Sequence, residues 1–305
     1  APQWAAFVRR MGDLGYSVVE PFAQEFPDRF LNAGVAEQNM TSLAAGLASE
    51  GWQVFTYSIA NFPTLRCLEQ IRNDVCYHRL PVTVVAVGAG LAYGNLGFSH
   101  HGVHDLAALR PLPHLGVLSP ADPGEAAEAV EWLCAHPGPA YLRLGKAGEK
   151  PLHKVRGLDA GPLLIPASVR LLPAGVHDAA RWLPAGTRVA DGSPLALVAT
   201  GSVVSVALEA SDALAGLGVP AAVFSCPWLK PADRRFFAPL WRFPRIITLE
   251  EHVLAGGFGS LLRELAPDGV RLRSLAVPEG LTSAVGSQEH LRGQAGLTVE
   301  GVVRL

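Results

Sequence analysis

Two regions of the chain show an alternation of strand-like and helix-like runs. In the first region, Val82–Val87 is a continuous run of mostly β-branched apolar residues, which predicts a strand buried on both faces. A helix is predicted farther along, from Asp122 to about Ala135. Asp122 is a good N-cap, Pro123 suits the first helical position, and Glu125 completes a capping box.

A second strand and an Ala-rich helix complete the first region. Residues 140–144 predict the strand. The helix spans about Glu37–Ser49, with Leu43 and Leu47 four residues apart on one face, and Gly51 is placed to end it in a left-handed conformation. The small side chains of this helix favour close packing on a sheet or on another helix.

The C-terminal region repeats this alternation. Its predicted strands are Leu195–Ala199, Ala221–Ser225 and Ile246–Glu250, and its predicted helices are Val203–Leu217 and Gly259–Leu265. Because alternating strands and helices favour parallel sheets, we expect an α/β fold with two doubly wound α/β domains.

The segment between the two regions is rich in Pro and Gly and shows little periodicity, which is typical of a connection. Short strands are expected within it near Val169–Leu172. We therefore predict a first domain at residues 1–148, a linker at 149–190 and a second domain at 191–305.

Composition and charge argue against several classes of protein. The 305 residues are 49% hydrophobic, and 25 Lys and Arg against 27 Asp and Glu give a formal net charge of −2, which argues against a nucleic-acid partner. No uninterrupted apolar stretch reaches the roughly 18 residues of a membrane span, and the chain start lacks the pattern of a signal peptide. The four cysteines contain no Cys-x-x-Cys pair, so we expect reduced thiols in a cytoplasmic protein.

The most informative motif, Gly34–Met40, opens the Ala-rich helix. A Glu in the first turn of a helix commonly complements the helix dipole at the surface. This stretch, however, resembles the pyrimidine-binding half of the thiamine-diphosphate enzymes of the transketolase family. The resemblance implies that the Glu37 carboxyl hydrogen-bonds the N1′ nitrogen of the coenzyme's aminopyrimidine. That contact would let the 4′-imino nitrogen take the proton from the thiazolium carbon.

Further segments resemble the same family in the same order along the chain. They are Asp13–Gly15, Phe62–Val75, Gly97–His101, Tyr141–Leu144, Thr248–His252 and Gly256–Ser260. The resemblance implies a pyrimidine-binding-type parallel sheet in the first domain, followed by a sheet of the transketolase C-terminal type in the second.

The resemblance also implies roles for individual residues. Those expected to hold thiamine diphosphate are Glu37, Phe62, Leu65, Asp13 and Gly34. His100 is expected to contact the substrate and to assist proton transfer, so that Glu37 and His100 are the predicted catalytic residues. A sugar phosphate is expected to contact Arg143, with Ser17 as a weaker candidate.

Two positions depart from the family pattern on the substrate side. Leu96, preceded by Asn95, stands where sugar-transferring transketolases carry an Asp that recognises a substrate hydroxyl, and Gly88 stands where they carry a His. A Leu cannot accept a hydrogen bond, and a lost buried polar partner costs about 1–3 kcal/mol. We therefore expect intact coenzyme binding and altered donor recognition, with Leu96 and Asn95 facing the substrate.

One part of the family's coenzyme site is missing from the chain. The family binds the diphosphate through Mg²⁺ or Ca²⁺ with a Gly-Asp-Gly motif that does not occur here, and only 12 residues precede Asp13, where a pyrophosphate-binding domain would stand. We therefore expect an N-terminal transketolase subunit to carry that domain and most of the metal ligands. The expected assembly is an α2β2 heterotetramer with this chain as its β-type subunit.

The resemblance implies transfer of a two-carbon ketol unit from a ketose or 2-oxo donor to an aldehyde or other acceptor. Two alternatives stay open. One is a subunit similar to 1-deoxyxylulose-phosphate synthase or to the E1β subunit of 2-oxo acid dehydrogenases, and the other is a non-catalytic scaffold subunit. His100 and His104 could also bind a metal if they shared a helix face, but the glycines between positions 88 and 102 favour a loop.

Overall fold

The computed structural model describes residues 7–11, 19–152, 181–182 and 193–305, apart from positions 233, 235, 236 and 282. Strands and helices alternate through most of these ranges. The assigned strands, numbered in chain order, are β1 Phe7–Met11, β2 Phe30–Asn32, β3 Gln53–Ile59, β4 Val82–Val87, β5 Gly116–Leu118, β6 Ala140–Leu144, β7 Arg181–Trp182, β8 Leu195–Ala199, β9 Ala221–Ser225, β10 Trp228–Lys230, β11 Arg245–Val253 and β12 Arg271–Val277.

Helices connect these strands and pack on the sheets. The assigned α-helices are α1 Glu20–Glu25, α2 Glu37–Ser49, α3 Leu68–Gln70, α4 Asp105–Leu109, α5 Pro123–Ala135, α6 Val204–Gly216, α7 Phe258–Leu265, α8 Gln288–Ala295 and α9 Val299–Val303. Within the described ranges, no helix combines the length and the hydropathy needed to span a bilayer.

The strands form two parallel sheets, one in each half of the chain, as predicted. The first sheet has seven strands in the order β10-β5-β6-β4-β3-β1-β2, all parallel except β10. All six residues of β4 are buried, which agrees with its continuous apolar sequence. The second sheet has the order β12-β11-β8-β9-β7, and only the two-residue β7 is antiparallel.

The predicted helix boundaries of the first region are confirmed in atomic detail. The Asp122 side chain accepts a hydrogen bond from the Glu125 backbone N–H at 2.9 Å, and the Glu125 carboxylate accepts one from the backbone N–H of Ala121 at 2.8 Å. Helix α2 has the predicted bounds, and Gly51 follows it with φ +90°. Side-chain capping therefore fixes the start of α5, and a left-handed glycine follows the end of α2.

Two strands cross the divisions expected from the sequence. Strand β7 lies inside the predicted linker but pairs with β9 of the second sheet. Strand β10 follows β9 in the chain, yet it pairs antiparallel with β5 of the first sheet. The two halves are thus joined through a shared sheet edge. The domain boundaries stay predictions, and the strands expected near Val169–Leu172 lie outside the described residues.

The segment that resembles a pocket-lining helix is not one regular α-helix. It begins with a 3₁₀ turn at Leu65–Cys67, continues through α3 and ends as a π-helix at Ile71–Cys76. Just before this segment, the Thr64 hydroxyl donates a hydrogen bond to the Ala60 backbone carbonyl at 2.7 Å. Irregular helical turns of this kind are frequent at functional sites.

Candidate active site

Three predicted site residues lie beyond the carboxyl ends of parallel strands of the first sheet. Glu37 is the first residue of α2, which follows β2, while Phe62 follows β3 and His100 lies in the loop after β4. Parallel strands bring their carboxyl ends to one edge of a sheet, where α/β folds usually bind ligands. The topology therefore gathers these residues at one edge.

Glu37 is a buried carboxylate, and one of its two oxygens has no hydrogen-bond partner. The residue is 2% exposed, and its Oε2 atom lies 2.5 Å from the Arg66 guanidinium, whereas its buried Oε1 atom has no hydrogen-bond partner. Gly34 shapes the approach to this helix, since its φ of +68° suits glycine and its N–H donates to the Asn32 side chain at 2.8 Å. A buried oxygen without a partner is a place where a ligand donor would be favourable.

Arg66 connects Glu37 with the other predicted site residues. Its guanidinium carbon lies 4.6 Å from the centre of the Phe62 ring, and the Phe62 and His100 rings meet edge to face at 5.4 Å. Glu37, Arg66, Phe62 and His100 thus form a continuous row of contacts. Arg66 was not predicted from the sequence, although a cation four residues after an expected pocket aromatic was a usable signal.

Asn61 holds the His100 loop, and it too was not predicted from the sequence. Its side-chain amide donates to the backbone carbonyls of Ser99 and His101, both at 3.0 Å, on either side of His100. The His100 Nδ1 atom lies 3.0 Å from the Ser99 hydroxyl. His100 ends a 3₁₀ turn and His104 precedes α4, so the two histidines do not share a helix face.

The structure does not bring Arg143 to this row of contacts, and its expected phosphate contact stays a prediction. It was expected to reach a sugar phosphate, but its side chain is 2% exposed. Its Nε atom donates to Asp105 at 2.7 Å, and another guanidinium nitrogen donates to the carbonyls of Gly102 at 2.6 Å and Glu251 at 3.0 Å. Arg143 is therefore enclosed between the two halves of the chain, with its contacts directed at protein groups.

The departures from the family pattern have structural counterparts. Gly88 has φ +92°, and a Cβ placed there would lie 2.3 Å from the Tyr93 ring, so this ring fills the space beside the glycine. Leu96 is 50% exposed and follows the exposed Asn95 in a turn shortly before His100. Leu65 is 39% exposed. Two other predicted site residues, Asp13 and Ser17, lie outside the described residues.

The two halves of the chain match two known domains. Residues 12–148 match the transketolase pyrimidine-binding domain, and residues 185–302 match the transketolase C-terminal domain. One of the subunits of the apulose-4-phosphate transketolase of Actinobacillus succinogenes is 30% identical over 291 residues, which cover 94% of this chain and 86% of that protein. The chain belongs to the transketolase family. Membership of this family implies dependence on thiamine diphosphate.

Other members of the transketolase family resemble the chain in different ways. A split-gene transketolase, described as an inactive β4 tetramer, has a TM-score of 0.76 at 30% identity, covering 98% of this chain and 90% of that one. The 1-deoxy-D-xylulose-5-phosphate synthase of Pelotomaculum thermopropionicum is 34% identical over 288 residues, which cover 93% of this chain. Those residues are 42% of the synthase, so the chain spans less than half the length of that relative.

The residues present fit the pyrimidine half of the coenzyme. The partnerless Glu37 Oε1 atom can accept a hydrogen bond from a protonated ring nitrogen, and the Phe62 ring and the half-exposed Leu65 side chain offer apolar surface. Nothing comparable is seen for a metal, since the described residues contain no cluster of three His, Cys, Asp or Glu side chains able to hold one.

Proposed function

We propose that the chain is the β-type, C-terminal subunit of a split thiamine-diphosphate-dependent transketolase-like enzyme. The enzyme would transfer a two-carbon ketol unit from a ketose or 2-oxo donor to an aldehyde or other acceptor. The observation that carries the proposal is the buried Glu37 carboxylate, which keeps one oxygen without a partner at the start of α2. The split organisation is supported by the match to 86% of a relative that is itself one subunit of a transketolase.

Each residue of the row has a part in this proposal. Thiamine diphosphate supplies the carbanion chemistry of C–C bond cleavage and formation. Glu37 holds a proton at the ring nitrogen through Oε1, and Phe62 and Leu65 pack on the ring. His100 accepts or donates a proton at the substrate-derived hydroxyl, and Asn61 fixes the loop that carries it. The contacts assigned to Asp13, Ser17, Asn95 and Leu96 stay predictions.

The proposed partner is an N-terminal subunit with the pyrophosphate-binding domain, which would supply the ligands of Mg²⁺ or Ca²⁺. Exposed apolar side chains flank Glu37, as Val35 is 72%, Leu31 41% and Leu43 39% exposed. Apolar surface beside an incomplete site is typical of a subunit interface. We propose an α2β2 assembly of the two kinds of subunit.

We also propose a cytoplasmic location, where cysteines such as the four in this chain stay reduced.

A second candidate function uses a 2-oxo acid donor. The identity of 34% with a 1-deoxy-D-xylulose-5-phosphate synthase favours this possibility, and so does the exposed Leu96, which cannot accept a hydrogen bond from a sugar hydroxyl. An E1β-like subunit or a non-catalytic scaffold would share the same fold. Decarboxylation of pyruvate separates the synthase-like activity from ketol transfer.

The test is coenzyme binding by the two-subunit complex. The chain is co-expressed with a partner carrying the Gly-Asp-Gly motif, and thiamine diphosphate with Mg²⁺ is titrated into the pair and into each chain alone by calorimetry. We expect binding by the pair only, followed by turnover of xylulose 5-phosphate, hydroxypyruvate or pyruvate. A stable pair that binds no coenzyme would overturn the proposal in favour of the scaffold.

A further inference from the structure

Arg66 has a place in the site that neither the motifs nor the expected roles explain. It lies in the 3₁₀ turn after Phe62, and its side chain is 44% exposed, whereas that of its partner Glu37 is 1% exposed. One guanidinium nitrogen pairs with Glu37 Oε2 at 2.5 Å, and the guanidinium carbon lies over the Phe62 ring at 4.6 Å. A single flexible cation therefore contacts both residues expected to meet the coenzyme's ring.

The pairing is one-sided, although an arginine and a carboxylate can form two parallel hydrogen bonds. Only one nitrogen of Arg66 bonds to Glu37, and it uses only Oε2, while the buried Oε1 stays open. Arg66 is the one cation paired with Glu37 in the described part of the chain. The pair thus compensates a buried negative charge without consuming both carboxylate oxygens.

Two roles are compatible with a cation in this place: Arg66 could weaken coenzyme binding, or it could strengthen it. Arg66 could compete with the coenzyme, since it makes an ion pair and a ring contact at the same residues. A competitor would be expected to take both oxygens in the more stable two-bond arrangement. The observed geometry leaves open the one oxygen that the coenzyme needs, which favours a supporting role.

We propose that Arg66 is a positioning residue that holds Glu37 by Oε2, so that Oε1 is the oxygen presented to the coenzyme's ring nitrogen. Its contact with Phe62 holds the adjoining wall of the ring pocket at the same time. This inference rests on the proposed function, because it takes Glu37 as the carboxylate that meets the coenzyme.

The test measures coenzyme affinity of the two-subunit complex by calorimetry. We expect Arg66→Gln, which keeps hydrogen-bond donors but removes the charge, to weaken thiamine diphosphate binding 10- to 100-fold, and Arg66→Lys to recover part of it. Arg72→Gln is the matched control, since Arg72 is exposed on the same segment and bonds to Asn73 instead. We expect less than a twofold change for this control.

A double-mutant cycle shows whether Arg66 acts through Glu37. If it does, Arg66→Gln weakens binding much less in a Glu37→Gln background than in the wild type. A merely structural role would give the same loss in both backgrounds and would overturn the inference, as would unchanged or tighter binding by Arg66→Gln. Failure of the proposed function is a different result, because the wild-type complex would then bind no coenzyme.

Discussion

Among the buried carboxylates that pair with arginines in the described residues, Asp105 and Glu37 differ in what surrounds the cation. Asp105 accepts hydrogen bonds from Arg143 at 2.7 Å and from the Tyr141 hydroxyl at 2.5 Å, and the Arg143 side chain is 2% exposed. Glu37 is paired with Arg66, which is 44% exposed and makes one hydrogen bond to it. The first pair is enclosed between the two halves of the chain (the sealed pair), whereas the second is partly exposed at the edge of the first sheet (the open pair).

The environment of each pair indicates its purpose. Burial alone would raise the pKa of Asp105, but the Arg143 guanidinium holds it below its ordinary value, so the carboxylate stays charged. Arg143 also donates to two backbone carbonyls. The Asp105 Oδ1 atom has no hydrogen-bond partner and faces His252 at 3.8 Å inside the protein, so the contacts of this pair are directed at the fold. At Glu37 an oxygen is kept open beside a half-exposed cation, which is a cost to the fold that a ligand can offset.

The largest expected effect separates the two pairs by activity. Glu37→Gln removes the proton-holding carboxylate, so we expect the turnover of the two-subunit enzyme to fall by about 10²–10⁴-fold. The free energy of unfolding should change little, because Gln removes the buried charge and Arg66, which loses its partner, is half exposed to water. Steady-state kinetics and urea unfolding measure the two quantities. Glu50→Gln, at the exposed end of α2, is the control with unchanged turnover; a Glu37→Gln enzyme of wild-type rate would refute the assignment.

The next effect is expected in stability rather than turnover. Arg143→Met leaves the Asp105 charge buried without its cation, which costs about 3–5 kcal/mol in the free energy of unfolding. Arg66→Met also leaves a buried carboxylate without its cation, but water can reach the place of the half-exposed guanidinium, so we expect a smaller loss of about 1–2 kcal/mol. Urea unfolding of both variants measures the difference. Equal losses would break the distinction between a sealed and an open pair.

The sequence predicts short-range features of this chain well. The bounds of α2, β4, β8 and β9 are as predicted, since they depend on apolar runs, caps and a left-handed glycine within a few residues. The family motifs also mark Glu37, Phe62 and His100 directly, and the structure brings them into one row of contacts, while their roles stay predictions. Their contacts in the site are consequences of topology.

Long-range pairing explains what could not be predicted from the sequence. The Arg66–Glu37 pair spans 29 residues, and Arg143 reaches the Glu251 carbonyl across 108 residues. Nothing local distinguishes an arginine that is enclosed between two halves from one that could meet a phosphate, so the burial of Arg143 could not be predicted from the sequence. Strand β10 illustrates the same limit, because its partner β5 belongs to the other half of the chain.

His252 lies beside Asp105 in the enclosed region, and its pKa predicts how the stability of the chain responds to acid. Burial lowers the pKa of His252 to about 4, and the neutral ring fits its contacts, as Nε2 accepts from the Ala107 N–H at 3.3 Å and Nδ1 lies 2.6 Å from the Val253 carbonyl oxygen. Because the folded pKa lies below the ordinary 6.5, the folded chain binds fewer protons than the unfolded chain. The contribution of His252 to stability is therefore complete above pH 6.5 and is lost as the pH falls toward 4.

Urea unfolding between about pH 7.5 and pH 4.5 tests this linkage. We expect the acid-induced loss of stability to be smaller in His252→Gln than in the wild type, by up to about 3 kcal/mol. His78→Gln, an exposed histidine far from the network in sequence, should keep the wild-type slope. An identical slope in His252→Gln would show that this ring does not titrate with folding.

The smallest expected effect concerns selectivity at the open region. Leu96→Asp places a hydroxyl acceptor on the exposed turn shortly before His100. We expect kcat/KM for a polyhydroxy donor to rise 10- to 100-fold relative to pyruvate, the equivalent of about 1–3 kcal/mol for one polar contact. Stability should not change, because the side chain is half exposed. Asn95→Asp adds the same charge one residue earlier and should shift the ratio less than threefold. If both variants shift it equally, overall charge rather than a contact at position 96 sets the preference, and the open region selects its donor through other residues.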